Sequence, residues 1–249
     1  MKELYNLDCI ECLRDQKSST VDVIITSPPY NLGTTTGGGF PTKNKGKWSG
    51  GGLANGYNET HSDSMPALEY KLWQQQFLIE CWRVLADNGA IFYNHKCRVQ
   101  NGVLQTPLEL NPGLPLRQII VWKRSGGINF SGSFYLPTTE WVLIFAKPAF
   151  RLKSKGASGI GDVWEFRQDI GNPHPAPFPL QLPLNILDTV DCETVMDPFM
   201  GSGTVGVAAA LNSKNFIGVE KDAKFFDMAS VRIELAESGD MDSWLSGIY

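Results

Sequence analysis

No stretch of this chain is apolar for long enough to cross a bilayer. None approaches the roughly 18 residues required, and charged side chains recur throughout its 249 residues. The N-terminus, Met1 to Ile10, lacks the basic and then apolar layout of a secretory signal, so a cytoplasmic location away from membranes is expected. Cysteine is sparse and scattered. Cys9, Cys12, Cys81, Cys97 and Cys192 are odd in number, and only the first two are close in sequence, which fits reduced thiols rather than a disulfide framework. A lone Cys-x-x-Cys pair without a second pair downstream is a poor zinc signal, and no metal is expected. An excess of positive charge is missing too. With 22 Lys and Arg against 26 Asp and Glu, the net charge is -4, so contact with nucleic acid has to come from local basic patches. Three clusters qualify: Lys43, Lys45 and Lys47 around Trp48; Lys123 with Arg124; and Arg151, Lys153 and Lys155. Each taken alone also reads as ordinary solvated surface.

What is present is the composition of a compact globular chain, 42% apolar and 19% charged. The length suits one domain over residues 1–249 with a modest insertion. Residues 21–26, VDVIIT, form a β-branched run that stops at Ser-Pro-Pro and predicts a buried strand. Residues 31–58, rich in Gly, Thr and Asn, read as a long functional loop. Trp73, Phe77, Cys81, Val84 and Leu85 recur at helical spacing after Pro66 and predict a helix over 66–87. Strands are expected at 90–94, 116–122 and 140–146. Residues 148–180 lose periodicity, and 148–172 are taken as a short recognition insertion. The remainder alternates: a helix at 181–189, a strand at TVMDPF, a helix from Thr204, a strand at NFIGVE and a helix from Asp222. This alternation indicates an α/β fold with a largely parallel sheet.

Two motifs carry the chemistry. In Asp197-Pro198-Phe199-Met200-Gly201-Ser202-Gly203-Thr204, between a strand and a helix, the glycines allow close approach of a ligand to the backbone and the helix start offers free N–H groups. Glu220, at the end of the next strand, suits the two hydroxyls of a ribose, so together they describe a nucleoside-cofactor site. A Gly-x-Gly alone is equally a tight structural turn. The second motif is Thr26-Ser27-Pro28-Pro29-Tyr30-Asn31. An exocyclic amino group on adenine or cytosine is a poor nucleophile because its lone pair is delocalised into the ring. The Ser27 hydroxyl and the Pro28 carbonyl can accept both amino hydrogens and turn that lone pair towards a methyl donor. Pro28 and Pro29 remove competing N–H donors, and Tyr30 can stack on a base turned out of the helix. A proline-terminated strand with a buried tyrosine is the bland alternative.

In these motifs and their order the chain resembles the amino-methylating DNA methyltransferases that modify adenine N6 or cytosine N4. It is most similar to the permuted beta group, in which the Pro-Pro-Tyr motif precedes the cofactor motif. The stretch from Trp82-Arg83-Val84-Leu85 to Gly89, and His174-Pro175-Ala176-Pro177-Phe178-Pro179, also match. The resemblance implies a Rossmann-like fold with a seven-stranded, mostly parallel sheet covered by helices on both faces. It implies S-adenosylmethionine as cofactor and in-line methyl transfer without metal or covalent intermediate. The cofactor would contact Asp197, Phe199, Gly201, Gly203, Thr204 and Glu220, with His174 and Phe178 at its methionine end and Asp8 with Cys9 beside its adenine. Asp8 equally reads as part of a short turn. Double-stranded DNA is the expected partner, contacted by Lys43, Lys45, Lys47, Trp48, Arg151 and Lys153. The resemblance also admits a homodimer and a cognate restriction enzyme.

Ser27 tilts the expected target towards cytosine N4, since many adenine-modifying members carry Asp there, whereas Asn31 pulls towards adenine. Methylation of an RNA base or of a protein glutamine is the alternative chemistry, although those enzymes place the cofactor loop before the catalytic motif. A non-catalytic DNA-binding module is the alternative without turnover.

Overall fold

The computed structural model describes residues 1–31, 65–100, 102–124, 132–167 and 178–239. Along them run β1 (Lys2–Tyr5), α1 (Cys9–Asp15), β2 (Val21–Thr26), α2 (Ala67–Val84), β3 (Leu85–His95), β4 (Arg98–Gln100), β5 (Val103–Gln105), β6 (Leu116–Lys123) and β7 (Thr139–Ala146). There follow α3 (Lys155–Ser158), β8 (Val163–Glu165), α4 (Gln181–Thr189), β9 (Thr194–Asp197), α5 (Thr204–Leu211), β10 (Asn215–Val219) and α6 (Ala223–Ser238). Eight strands form one sheet in the order β1-β10-β9-β2-β3-β7-β6-β8. β7 is antiparallel to both its neighbours, and every other pairing in this sheet is parallel.

The sheet therefore has eight strands where seven were expected. β1, with the sequence KELY, is half-buried and carries two charges in four residues, too little apolar signal to announce a strand. β8 lies inside the 148–172 segment expected to be an insertion. Its Trp164 pairs with Trp122 of β6 and is buried while the flanking Val163 and Glu165 are exposed, so three residues of that segment extend the sheet. The expected helix over 66–87 ends at Val84, and Leu85 already belongs to β3.

Both faces of the sheet are covered. In β2, Val23 and Ile25 pack with Leu182 and Ile186 of α4, Val205 of α5 and Ile233 of α6. The alternate residue Ile24 packs with Leu13 of α1 and with Phe77 and Leu78 of α2. This period-two alternation with apolar residues on both sides marks a central strand of a parallel sheet. The chain leaves β2 to cross by α2 on one face and leaves β9 to cross by α5 on the other. β2 and β9 are neighbours, so the loops after Thr26 and Asp197 diverge and open a crevice at the C-terminal ends of these strands, which is where such sheets bind ligands.

Candidate active site

Pro28 and Pro29 follow β2 after Ser27, and without N–H groups they cannot extend its ladder. The loop is held from α2 and β3 instead. Tyr70 Oη lies 2.8 Å from both the Pro29 carbonyl and His95 Nε2, Gln74 Nε2 donates to Tyr70 Oη at 2.9 Å, and Tyr93 Oη donates to Gln74 Oε1 at 2.9 Å. Burial drives the His95 imidazole down to about 3, so it is neutral and acts as an acceptor or donor rather than as a cation. Asn31 closes the loop from the other side: its Nδ2 donates to the Met65 carbonyl at 2.8 Å and its Oδ1 accepts from the Met65 N–H at 2.7 Å. With Pro29 so occupied, the Pro28 carbonyl is the one in the pair that accepts no hydrogen bond among the described residues.

Ser27 belongs to a second cluster. Its Oγ is 2.7 Å from Tyr30 Oη, which is 3.2 Å from Glu140 Oε2. Asn94 Nδ2 reaches Tyr30 Oη at 2.7 Å, Glu140 Oε2 at 3.0 Å and Ser27 Oγ at 3.4 Å. Arg124 Nε sits 3.6 Å from Glu140 Oε1. Proton positions follow from these partners. Asn94 turns its NH2 to the carboxylate, because its carbonyl there would set oxygen against oxygen. Its two hydrogens go to the two nearer acceptors, Glu140 and Tyr30. Tyr30 is then left to donate to Glu140, the acceptor-only member, and Ser27 to donate to Tyr30. The arrangement leaves the lone pairs of Ser27 Oγ available to a further donor. Asn94 Oδ1 is buried and has no hydrogen-bond partner among the described residues.

On the other side of the crevice, Thr26 Oγ1 donates to Asp197 Oδ1 at 2.8 Å, and the Phe199 N–H donates to the same oxygen at 3.0 Å. The chain then turns through Gly201 at φ 53° and Gly203 at φ 81° into α5. Both are left-handed conformations that glycine adopts without strain. A Cβ at Gly203 would stand 3.0 Å from Ala229 Cα, so the turn is also pressed against α6. Glu220 Oε2 accepts from the Gly201 N–H at 2.9 Å and its Oε1 from the Asp222 N–H at 2.8 Å. Burial raises Asp197 to about 7 and raises Glu220 as well, and the proximity of Glu220 adds to the shift of Asp197. Neither forms an ion pair among the described residues. Two desolvated carboxylates without a cation suit a ligand that brings donors, such as the ribose hydroxyls and ammonium of S-adenosylmethionine.

The remaining expected residues divide. Asp8 caps α1 by accepting from the Ile10 N–H at 3.0 Å, and its other oxygen is 3.3 Å from Lys221 Nζ, which places it beside Glu220. Cys9 is buried, and burial raises its thiol. The Phe199 ring packs at 4.9 Å from Phe77 and 5.7 Å from Trp73, Thr204 opens α5, and Phe178 is buried in the core. Lys43, Lys45, Lys47, Trp48 and His174 lie outside the described residues, as does nearly all of the 31–58 loop. Arg151 and Lys153 are not brought to the site. They follow the C-terminal end of β7, whose N-terminal end carries Glu140, so they leave the sheet at the opposite edge, about 20 Å away along the strand. The basic residues that do stand at the site are Lys96, with Nζ 5.8 Å from the Tyr30 ring centroid, Arg98, which donates to the Tyr30 and Asn31 carbonyls, and Arg124. Sequence reasoning also missed Asn94, His95 and Glu140. Asn94 and His95 end an apolar strand at the edge that carries Ser27, a polar signal that could have been read. Glu140 reaches that edge only because β7 is antiparallel. Among the described residues, no three His, Cys, Asp or Glu side chains gather as a metal site, and no helix is long and apolar enough to cross a membrane.

Known proteins share both the sequence pattern and the architecture. A DNA methylase family model matches residues 21–231. The Type II methyltransferase M.BglII of Bacillus subtilis is 26% identical over 92% of this chain and 68% of its own length. M2.MboI of Moraxella bovis, also a Type II methyltransferase, is 25% identical over 92% of this chain and 86% of its own. Among solved structures, the cytosine-N4-specific PvuII DNA methyltransferase superposes with a TM-score of 0.71 at 16% identity, covering 98% of this chain and 91% of that one. TTHA0409 of Thermus thermophilus, complexed with S-adenosyl-L-methionine, does so with a TM-score of 0.64 at 20% identity, over 96% and 97%. The catalytic-motif crevice, its glycine turn and the family match over most of the sequence lead to one conclusion: this chain belongs to the N6/N4 DNA methylase family and is an S-adenosylmethionine-dependent DNA methyltransferase.

Proposed function

We propose that the chain methylates the exocyclic amino nitrogen of a base everted from duplex DNA, with cytosine N4 as the target. The observation that carries this reading is the pair of acceptors at the crevice, Ser27 Oγ with its lone pairs available and the Pro28 carbonyl without a partner among the described residues. Two acceptors bind the two hydrogens of an amino group, pyramidalise the nitrogen and aim its lone pair across the crevice. S-adenosylmethionine supplies an electrophilic methyl group on its sulfonium. Asp197, Glu220 and the backbone from Phe199 to Thr204 would hold it, with Asp8, Cys9, Phe178 and His174 as the further contacts that the resemblance implies. The Tyr30 ring forms the wall on which the base rests. A hydroxyl at position 27 favours cytosine, as does the specificity named for the PvuII structure. Asn31 carries no weight for adenine, since both polar atoms of its amide are tied to Met65 and address the loop rather than a base.

DNA phosphates are taken up by Lys96, with Lys43, Lys45, Lys47 and Trp48 as the further contacts that the resemblance implies, rather than by Arg151 and Lys153. The Type II names of the curated relatives support a cognate restriction endonuclease as the cellular counterpart. The test is incubation of the purified protein with unmethylated duplex DNA and S-adenosylmethionine, followed by mass spectrometry of the nucleosides. N4-methylcytosine is the expected product. N6-methyladenine alone would overturn the choice of base, and no methylated base in any DNA would overturn the function.

A further inference from the structure

We infer that Glu140 is the terminal acceptor of the proton that the amino group sheds, reached through Ser27 and Tyr30. This rests on the reading of the crevice as an amino-methylation site. When the nitrogen lone pair forms the new N–C bond, the nitrogen becomes positively charged and must lose one hydrogen. The carbonyl of Pro28 cannot take that proton onward, because a carbonyl oxygen has no proton of its own to hand to a further acceptor. Ser27 can. Its Oγ receives the proton from nitrogen as its own proton passes over 2.7 Å to Tyr30 Oη, and the Tyr30 proton passes over 3.2 Å to Glu140 Oε2. The N–H electron pair stays on nitrogen, each hydroxyl ends as it began, and the carboxylate ends protonated until product leaves and water relieves it.

Three features of the cluster set this direction. The hydrogen-bond polarity imposed by Asn94 already points every donor in the chain from Ser27 towards Glu140. Glu140 is buried, so the acceptor is shielded from solvent. Arg124, 3.6 Å from its other oxygen, keeps it in place without competing for Oε2. Strand direction explains its origin: β7 starts at the edge where β3 ends, so Glu140 pairs across with Trp122 and its strand neighbour Trp141 pairs with His95, bringing a carboxylate to a motif that has a hydroxyl in its first position. Tyr30 thereby has a function in its hydroxyl that is separable from that of its ring.

The test compares Glu140→Gln and Tyr30→Phe with wild type in single-turnover methyl transfer to duplex DNA, with binding of S-adenosylmethionine and of DNA measured on the same samples. Tyr30→Phe keeps the ring and leaves Glu140 with Arg124, so it remains informative if the Gln variant folds poorly. Both variants are expected to bind cofactor and DNA as wild type does and to transfer methyl about 100-fold more slowly, the loss typical of a removed general base. The double variant should be no slower than either single one. Wild-type rates in Tyr30→Phe, or losses that multiply in the double variant, would overturn the relay while leaving the methylation reading intact. Absence of any methylated base with the wild-type protein would instead overturn that reading.

Discussion

Thr26 Oγ1 donates to Asp197 Oδ1 at 2.8 Å, a fully buried bond between the last residue of β2 and the last residue of β9. It spans the point where the crossovers part and couples the strand that carries the Ser27–Tyr30 motif to the strand that leads into the glycine turn. Thr26→Val keeps the shape and removes the donor. The cost expected for a buried acceptor deprived of a partner is about 1–3 kcal/mol. Thermal unfolding should show a clear loss of stability, and calorimetry a weaker affinity for S-adenosylmethionine, although Thr26 need not touch the cofactor.

Asp197 also makes the cofactor-free protein sensitive to pH. Its carboxyl is raised from 3.8 to about 7 by burial. A group whose pKa is higher folded than unfolded binds extra protons in the folded state, so its stabilisation is complete below about pH 4 and is lost as pH rises towards about 7. Melting temperatures of the cofactor-free protein should therefore decline over this window through the contribution of Asp197, and Asp197→Asn should flatten the decline. Donors from the cofactor favour the ionised form, so calorimetry in two buffers near pH 6.5 should detect proton release on binding. An unchanged pH profile in Asp197→Asn would contradict the assignment.

Gly203 and Gly102 separate backbone strain from crowding. Both have positive φ, 81° and 76°, but a Cβ at Gly203 meets Ala229 at 3.0 Å whereas one at Gly102 meets nothing within 4 Å. Gly102→Ala should cost only the left-handed strain, about 1–2 kcal/mol. Gly203→Ala should cost more and should also lower cofactor affinity, because α6 or the turn has to move. Paired denaturant titrations with cofactor binding would check this.

The strands of the central sheet could be read from the sequence because each contains an apolar run, with β2, β9 and β10 stopping at a proline or an acidic residue, and the glycine turn because Gly201 and Gly203 fall between a strand and a helix. β1 and β8 could not: one is a charged four-residue edge and the other a three-residue edge with two exposed positions. Ser27, Pro28 and Tyr30 lie in a single motif, so that part of the candidate site was legible as one stretch of sequence. Glu140 was not, since its place depends on the antiparallel direction of β7, which the run EWVLIFA does not encode. The same direction places Arg151 and Lys153 beyond the end of β7 opposite to Glu140, a separation that their positive charge alone does not encode.

That displacement is testable through salt. If Lys96 meets a phosphate, Lys96→Ala should weaken DNA binding and reduce the slope of log affinity against log salt by about 1. Arg151→Ala should leave both unchanged. Fluorescence anisotropy over a salt series on one duplex would measure both, and a reduced slope in the Arg151 variant would return DNA to the opposite edge.

The most direct test of the account is single-turnover transfer of labelled methyl to duplex DNA by wild type and Ser27→Ala, with cofactor affinity measured in parallel. Ser27 is half-buried, its Oγ lies 2.7 Å from Tyr30 Oη, and its hydroxyl is the proposed acceptor of an amino hydrogen. Retained cofactor affinity and a transfer rate lower by roughly 100-fold or more are expected, the scale of a lost transition-state hydrogen bond. Wild-type transfer by Ser27→Ala would contradict it.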